Sequence, residues 1–96
     1  MSASAVRTDD GVVLLVLSGD LDIWGAADAA AMLESVSAET SATVHVDLRA
    51  VEVIDAVGLA LLRRAHRNLH SHGGRLVVDR ARIEHIPLLG ACGLTP

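Results

Sequence analysis

The chain has 96 residues, 12 acidic and 8 basic, for a formal net charge of −4. That length supports one domain near the lower limit for a self-sufficient core, and the acidic balance excludes a nucleic-acid surface, which is ordinarily basic. Half of the residues are apolar (51%), but with one Trp and neither Phe nor Tyr the core has to be built from Val, Leu, Ile and Ala.

The first ten residues lack the apolar stretch of a signal peptide, and no apolar run approaches the roughly 20 residues that span a bilayer. Cys92 is the only cysteine, which rules out an intramolecular disulfide and fits a reducing cytoplasm. A soluble, cytoplasmic protein without direct membrane insertion is expected. The eight basic residues are all Arg.

Residues 3–8 form a weak strand candidate, and Asp9-Asp10-Gly11 is a hairpin-type turn. Residues 12–17 are apolar at every position, as in a central strand covered on both faces. Ser18-Gly19-Asp20-Leu21-Asp22 then leads out of the sheet. Trp24 stands at the entrance of an Ala-rich helix over residues 25–37, where it reads as a hydrophobic staple. Ala26, Ala30 and Leu33 are expected to face the sheet. A polar connection, residues 37–43, follows.

Residues 44–48 alternate strictly, with Val44, Val46 and Leu48 on one side and His45 and Asp47 on the other, the period of a strand. A short apolar run, Val51 to Ile54, ends at Asp55, where the period becomes helical. Gly58, Leu61, Leu62, Ala65 and Leu69 make the apolar stripe, and Arg63, Arg64, Arg67 and His70 lie mainly opposite. Asp55 suits the N-cap, its carboxylate accepting from the amides of Val57 and Gly58. Gly73-Gly74 closes the helix with the positive φ that favours glycine. Residues 75–78 form another strand. Pro87 fits only the first turn of a short last helix that ends near Gly93.

Two segments together resemble the STAS domain family, that of the anti-sigma factor antagonists and of modules in sulfate transporters, stressosomes and lipid-transport complexes. The first is a strand followed by Asp55-Ala56-Val57-Gly58-Leu59, opening an amphipathic helix that closes in Gly-Gly. The second is Gly19-Asp20-Leu21-Asp22, similar to the family's Gly-Glu-Leu-Asp. The resemblance covers nearly the whole chain. It implies a single α/β domain over residues 1–96, with a mixed four-stranded sheet, an N-terminal antiparallel hairpin plus parallel strands, packed by about three helices. The family's usual C-terminal strand and helix would be lacking or truncated.

The family motif usually reads Asp-Ser-Ser-Gly, and its second hydroxyl is the phosphoacceptor of the switching members. Here that position is Val57, which has no hydroxyl. By resemblance, the partner-binding surface comprises Asp20, Asp22, Asp55, Ala56, Val57, Gly58 and Arg64. The implied partner is an anti-sigma factor of GHKL kinase type. An ABC transporter ATPase served by a STAS subunit is the alternative, and a nucleotide or small-ligand sensor at the helix start is a further one. Ser18 and Ser41 are hydroxyls outside the motif.

Nothing in the sequence assembles an enzyme. There is no Gly-x-Ser-x-Gly and no phosphate-binding loop ending in Lys, and Cys92 sits in an apolar segment as a small hydrophobe would. His66 and His70 have the i, i+4 spacing of a metal pair with His72 nearby, but a third ligand is not evident. No metal and no cofactor are expected.

Overall fold

A computed structural model describes residues 1–37 and 43–94; most of the expected polar connection, Ser41 included, lies outside them. Strands β1 (Ser2–Arg7), β2 (Val12–Leu21), β3 (Thr43–Ile54) and β4 (Arg75–Ala81) alternate with helices α1 (Ala26–Ser37), α2 (Ala56–Ser71) and α3 (Ile86–Ala91). A 3-10 turn, Ile83–His85, precedes α3. The sheet order is β1-β2-β3-β4, with β1 antiparallel to β2 and the other neighbours parallel. This is the mixed four-stranded sheet and three-helix arrangement the sequence implied.

The hairpin between β1 and β2 closes on Thr8. Its amide donates to the carbonyl of Val12 at 2.8 Å, its hydroxyl donates to Asp10, and Gly11 takes φ +85°. The Thr8 hydroxyl holds the Asp10 carboxyl below the usual carboxylate range. Among parallel strands taken in sequence order without reversal, successive crossovers fall on the same side. Both α1 and α2 therefore cover one face. Val13, Leu15 and Leu17 of β2, Val44, Val46 and Leu48 of β3, and Leu76 and Val78 of β4 pack there against Ala29, Leu33, Leu62, Ala65 and Leu69.

One consequence corrects the reading of β2. Leu14 and Val16 are exposed, so the strand is covered on one face, not two. The run of apolar residues hides an ordinary alternation, because α1 and α2 both lie on the other side. The open face also carries Asp47, whose carboxylate pairs with the Arg49 guanidinium at 2.9 Å. That hydrogen bond holds the Asp47 carboxyl below its usual value.

The face of α1 differs too. Ala29, Leu33 and Val36 are buried, while Ala26 and Ala30 are half-buried. In a helix whose first half is mostly Ala, the larger Leu33 and Val36 decide which side turns inward. Ala30 instead lines the crevice against α2, beside Leu61 and Ala65. Helix α2 buries Gly58, Leu62, Ala65 and Leu69, the expected stripe except for Leu61, which is half-buried. It ends where Gly73 takes φ +82° and the Gly74 amide reaches the Leu69 carbonyl at 2.8 Å.

Strand β3 is one element of 12 residues where the sequence suggested a strand and a separate run. Register shifts against β2 at Val16/Ser18 and Gly19/Leu21 carry it through to Ile54. Beyond Leu48 it outruns β4, and side chains take over the open edge. Arg82 Nε donates to the Arg49 carbonyl at 3.2 Å, and His85 Nε2 bonds the Glu52 carbonyl at 2.9 Å. Pro87 lies in the first turn of α3, as expected. Of its apolar residues only Leu89 is buried, joined in the core by Leu94.

Candidate docking surface

The C-terminal ends of β2 and β3 are tied together residue by residue. The Asp55 amide donates to the Leu21 carbonyl at 3.2 Å. One Asp55 carboxylate oxygen accepts from the Gly58 amide at 3.0 Å, capping α2. The other accepts from the Ile23 amide at 3.2 Å. The expected bond to the Val57 amide is thus replaced by one to a residue 32 positions earlier, and Asp55 joins the two loops as well as capping a helix.

Gly58 completes the joint. A Cβ there would stand 2.0 Å from the Leu21 carbonyl oxygen and 2.7 Å from Leu21 Cγ. The start of α2 therefore rests directly on the backbone of the β2 exit. Asp22 shapes that exit: one of its oxygens accepts from the Trp24 and Gly25 amides, both at 3.0 Å. Gly25 in turn passes so close to Asp20 that a Cβ would meet its carbonyl oxygen at 2.4 Å. Turning the chain this tightly points the intervening side chains outward.

Trp24 is accordingly 90% exposed. The staple reading fails because Asp22 organises the helix entrance through backbone amides and leaves the indole nothing to pack on. Ile23 at 63% and Val57 at 38%, the residues next to Trp24 and two after Asp55, are exposed as well, as is Val53, two before Asp55. The hydrogen bonds of Arg82 and His85 bring Ile83, 81% exposed, and Ile86 alongside the end of β3. In the sequence Ile83 and Ile86 suggest a last helix and not a surface; the signal was present, as large apolar residues on a segment too short to bury them.

Asp22, Asp55, Ala56, Val57 and Gly58 are thus brought together, with Asp20 at the same end of β2. Arg64 is not part of that group. Eight residues beyond Ala56, it lies about 12 Å along the helix, in the crevice with Ala30 and Glu34 of α1. His66 and His70 stack with ring centroids 6.0 Å apart. They line a groove of about 450 Å³ with Arg75 and Gly93. Among the described residues no group of three or more His, Cys, Asp or Glu is placed to hold a metal ion. Cys92 is half-buried against the core. No described helix is long and apolar enough to cross a membrane.

Asp55→Ala removes both loop contacts and is expected to cost about 1–2 kcal/mol. Asp55→Asn separates them. The amide oxygen still caps Gly58, but its NH2 faces the Ile23 amide donor to donor. Hydrogen exchange at Ile23 should accelerate in both variants, with the larger loss of stability in the alanine variant.

The sheet, the helix seated on a neighbouring backbone and the Asp-x-x-Gly turn are those of a STAS domain, and the chain belongs to that family: the family described as "Mlab, STAS domain" matches residues 4–95. Comparison with curated proteins gives no match. Among solved structures, an anti-sigma factor antagonist from Mycobacterium paratuberculosis is 28% identical, with a TM-score of 0.75 over 99% of this chain and 84% of that one. The unphosphorylated anti-sigma factor antagonist SpoIIAA has the same fold at 18% identity, with a TM-score of 0.77 and the same coverage, 99% and 84%. Mglu is similar at 30% identity and a TM-score of 0.66 over 79% of this chain, which spans 19% of Mglu.

Proposed function

We propose that this protein is a regulatory module that acts by docking on another protein, and that its partner is an anti-sigma factor of GHKL kinase type. The observation that carries the reading is the exposed apolar group of Ile23, Trp24 and Val57, held on a turn that Asp55 makes rigid. Pre-ordered apolar side chains bind at little further entropic cost, and Trp is among the residues that dominate interfaces. Asp20, Asp22 and Ala56 belong to the same surface, with Gly58 buried beneath it as the seat of α2; Arg64 would contribute only to a partner that reaches down α2. Family membership and likeness to an anti-sigma factor antagonist support the choice of partner.

Val57 stands where the switching antagonists carry their phosphoacceptor. Phosphorylation there would add about −2 charge at the turn and repel a docked partner. A valine cannot accept it, so the module is permanently competent to bind. The same residue favours a second reading, a STAS subunit on an ABC transporter ATPase, a partner that never phosphorylates it. A nucleotide sensor fits less well, because the Asp55 carboxylate already occupies the start of α2 with its own negative charge.

Pull-down from the native lysate with wild type and Val57→Asp, with the captured protein identified, tests this. Capture of a kinase-like anti-sigma factor by wild type alone is expected. An ABC ATPase captured instead decides for the second reading, and equal capture by both variants removes the turn from the interface.

A further inference from the structure

Helix α2 carries Arg63, Arg64 and Arg67 and no acidic residue, in a chain whose net charge is −4. Arg63 stands three residues before His66 and Arg67 three before His70, the spacing of neighbours on one helix face. Among the described residues no carboxylate pairs with Arg63, Arg67 or Arg75. The groove of about 450 Å³ between α2 and β4 adjoins this unneutralised charge. Of the eight described residues that line it none is acidic, and its polar side chains are His66, His70 and Arg75.

His66 decides which kind of ion the groove takes. Its Nδ1 is buried without a hydrogen-bond partner. A hydrogen there would be an orphaned buried donor, which is costly, so the ring proton belongs on Nε2. His66 therefore offers the groove an N–H and not a lone pair, and Arg75 has donors only. A divalent cation would need that lone pair and would be repelled by Arg75, whereas an anion meets donors. The negative end of the α2 dipole is blunted here. The Leu69 carbonyl accepts from the His72 and Gly74 amides at 3.0 and 2.8 Å, and the His70 carbonyl from the Gly73 amide at 3.1 Å.

We propose that this groove binds a phosphate monoester, at a site separate from the docking turn at the other end of α2. The phosphate lies against His66, His70 and Arg75, whose guanidinium fork matches two phosphate oxygens. A cleft of this volume suits a small organic molecule and not a bare ion. The organic part of the ester takes the rest of the groove, along Leu76 and Gly93.

Nuclear magnetic resonance of the whole chain at fixed pH, reading the ring signals of His66 and His70, measures the binding. The titrants are glycerol phosphate, inorganic phosphate, and sodium chloride at matched ionic strength. Glycerol phosphate is expected to shift both rings to saturation with a Kd of about 1 mM or lower, more tightly than inorganic phosphate, while chloride gives no saturation. Arg75→Gln and His70→Gln, both at exposed positions, should each weaken binding about tenfold. Arg80→Gln removes the same charge from the groove on the open face beside Leu14 and His45, and should bind like wild type. Circular dichroism verifies that every variant is folded. Shifts that never saturate, or that chloride reproduces, overturn the proposal, as does an Arg80 variant weakened as much as the Arg75 variant. Inorganic phosphate binding without the ester overturns the ester assignment. Saturation by zinc chloride with no response to the ester gives the histidines to a metal and overturns the anion site.

Discussion

Gly58→Ala is expected to lower the stability of the domain by about 3 kcal/mol or more, a fall in melting temperature of roughly 10–20 °C for a chain of this size. Two effects oppose each other. In an ordinary helix interior the change would be favourable by about 1 kcal/mol, because glycine is the poorer helix former. Here the added Cβ would lie 2.0 Å from the Leu21 carbonyl oxygen. That atom belongs to backbone held by the Asp55 amide and cannot rotate aside, so the clash wins. Gly11→Ala is the control, since nothing lies within 4 Å of its Cβ. Its cost is only that of a left-handed residue, about 1–2 kcal/mol. Thermal melts followed by far-ultraviolet circular dichroism compare the two; a Gly58 variant as stable as wild type would mean that α2 does not rest on the β2 exit.

Trp24→Ala should do the opposite, leaving the fold alone and weakening docking. With the indole 90% exposed, truncation removes almost no intramolecular contact, and stability should stay within about 0.5 kcal/mol of wild type. An exposed Trp at the centre of an apolar interface typically contributes about 2 kcal/mol or more, some 30-fold in affinity. Calorimetric titration of the captured partner measures this directly. Unchanged affinity would move the proposed contact away from the Asp22–Gly25 turn.

The elements whose signals are local were legible in the sequence. Alternation marked the start of β3, the glycine pair marked the end of α2, Pro87 marked the start of α3, and Asp55 declared itself a cap. What escaped depends on partners distant in the chain. The second oxygen of Asp55 finds Ile23 only because β2 and β3 end side by side, and no spacing rule connects residues 23 and 55. The full apolar run of β2 suggested two covered faces, but coverage is decided by where α1 and α2 cross. In α1, the alanines that fill most of its first half gave too little contrast to orient the helix. Trp24 misled because hydrophobicity argues for burial, whereas the Asp22 turn fixes its direction outward. For the candidate surface, the polar framework of Asp22 and Asp55 was readable, and the apolar group around it was not.

The separation of an aliphatic interior from a single indole at the surface has a practical corollary. Ultraviolet emission from this molecule reports on its outside alone. Unfolding moves Trp24 from one aqueous setting to another and should leave its emission nearly unchanged. Contact with an apolar partner should shift it to shorter wavelength. Without labels, then, one optical signal follows association while staying almost blind to denaturation, the reverse of what tryptophan emission shows in most small domains.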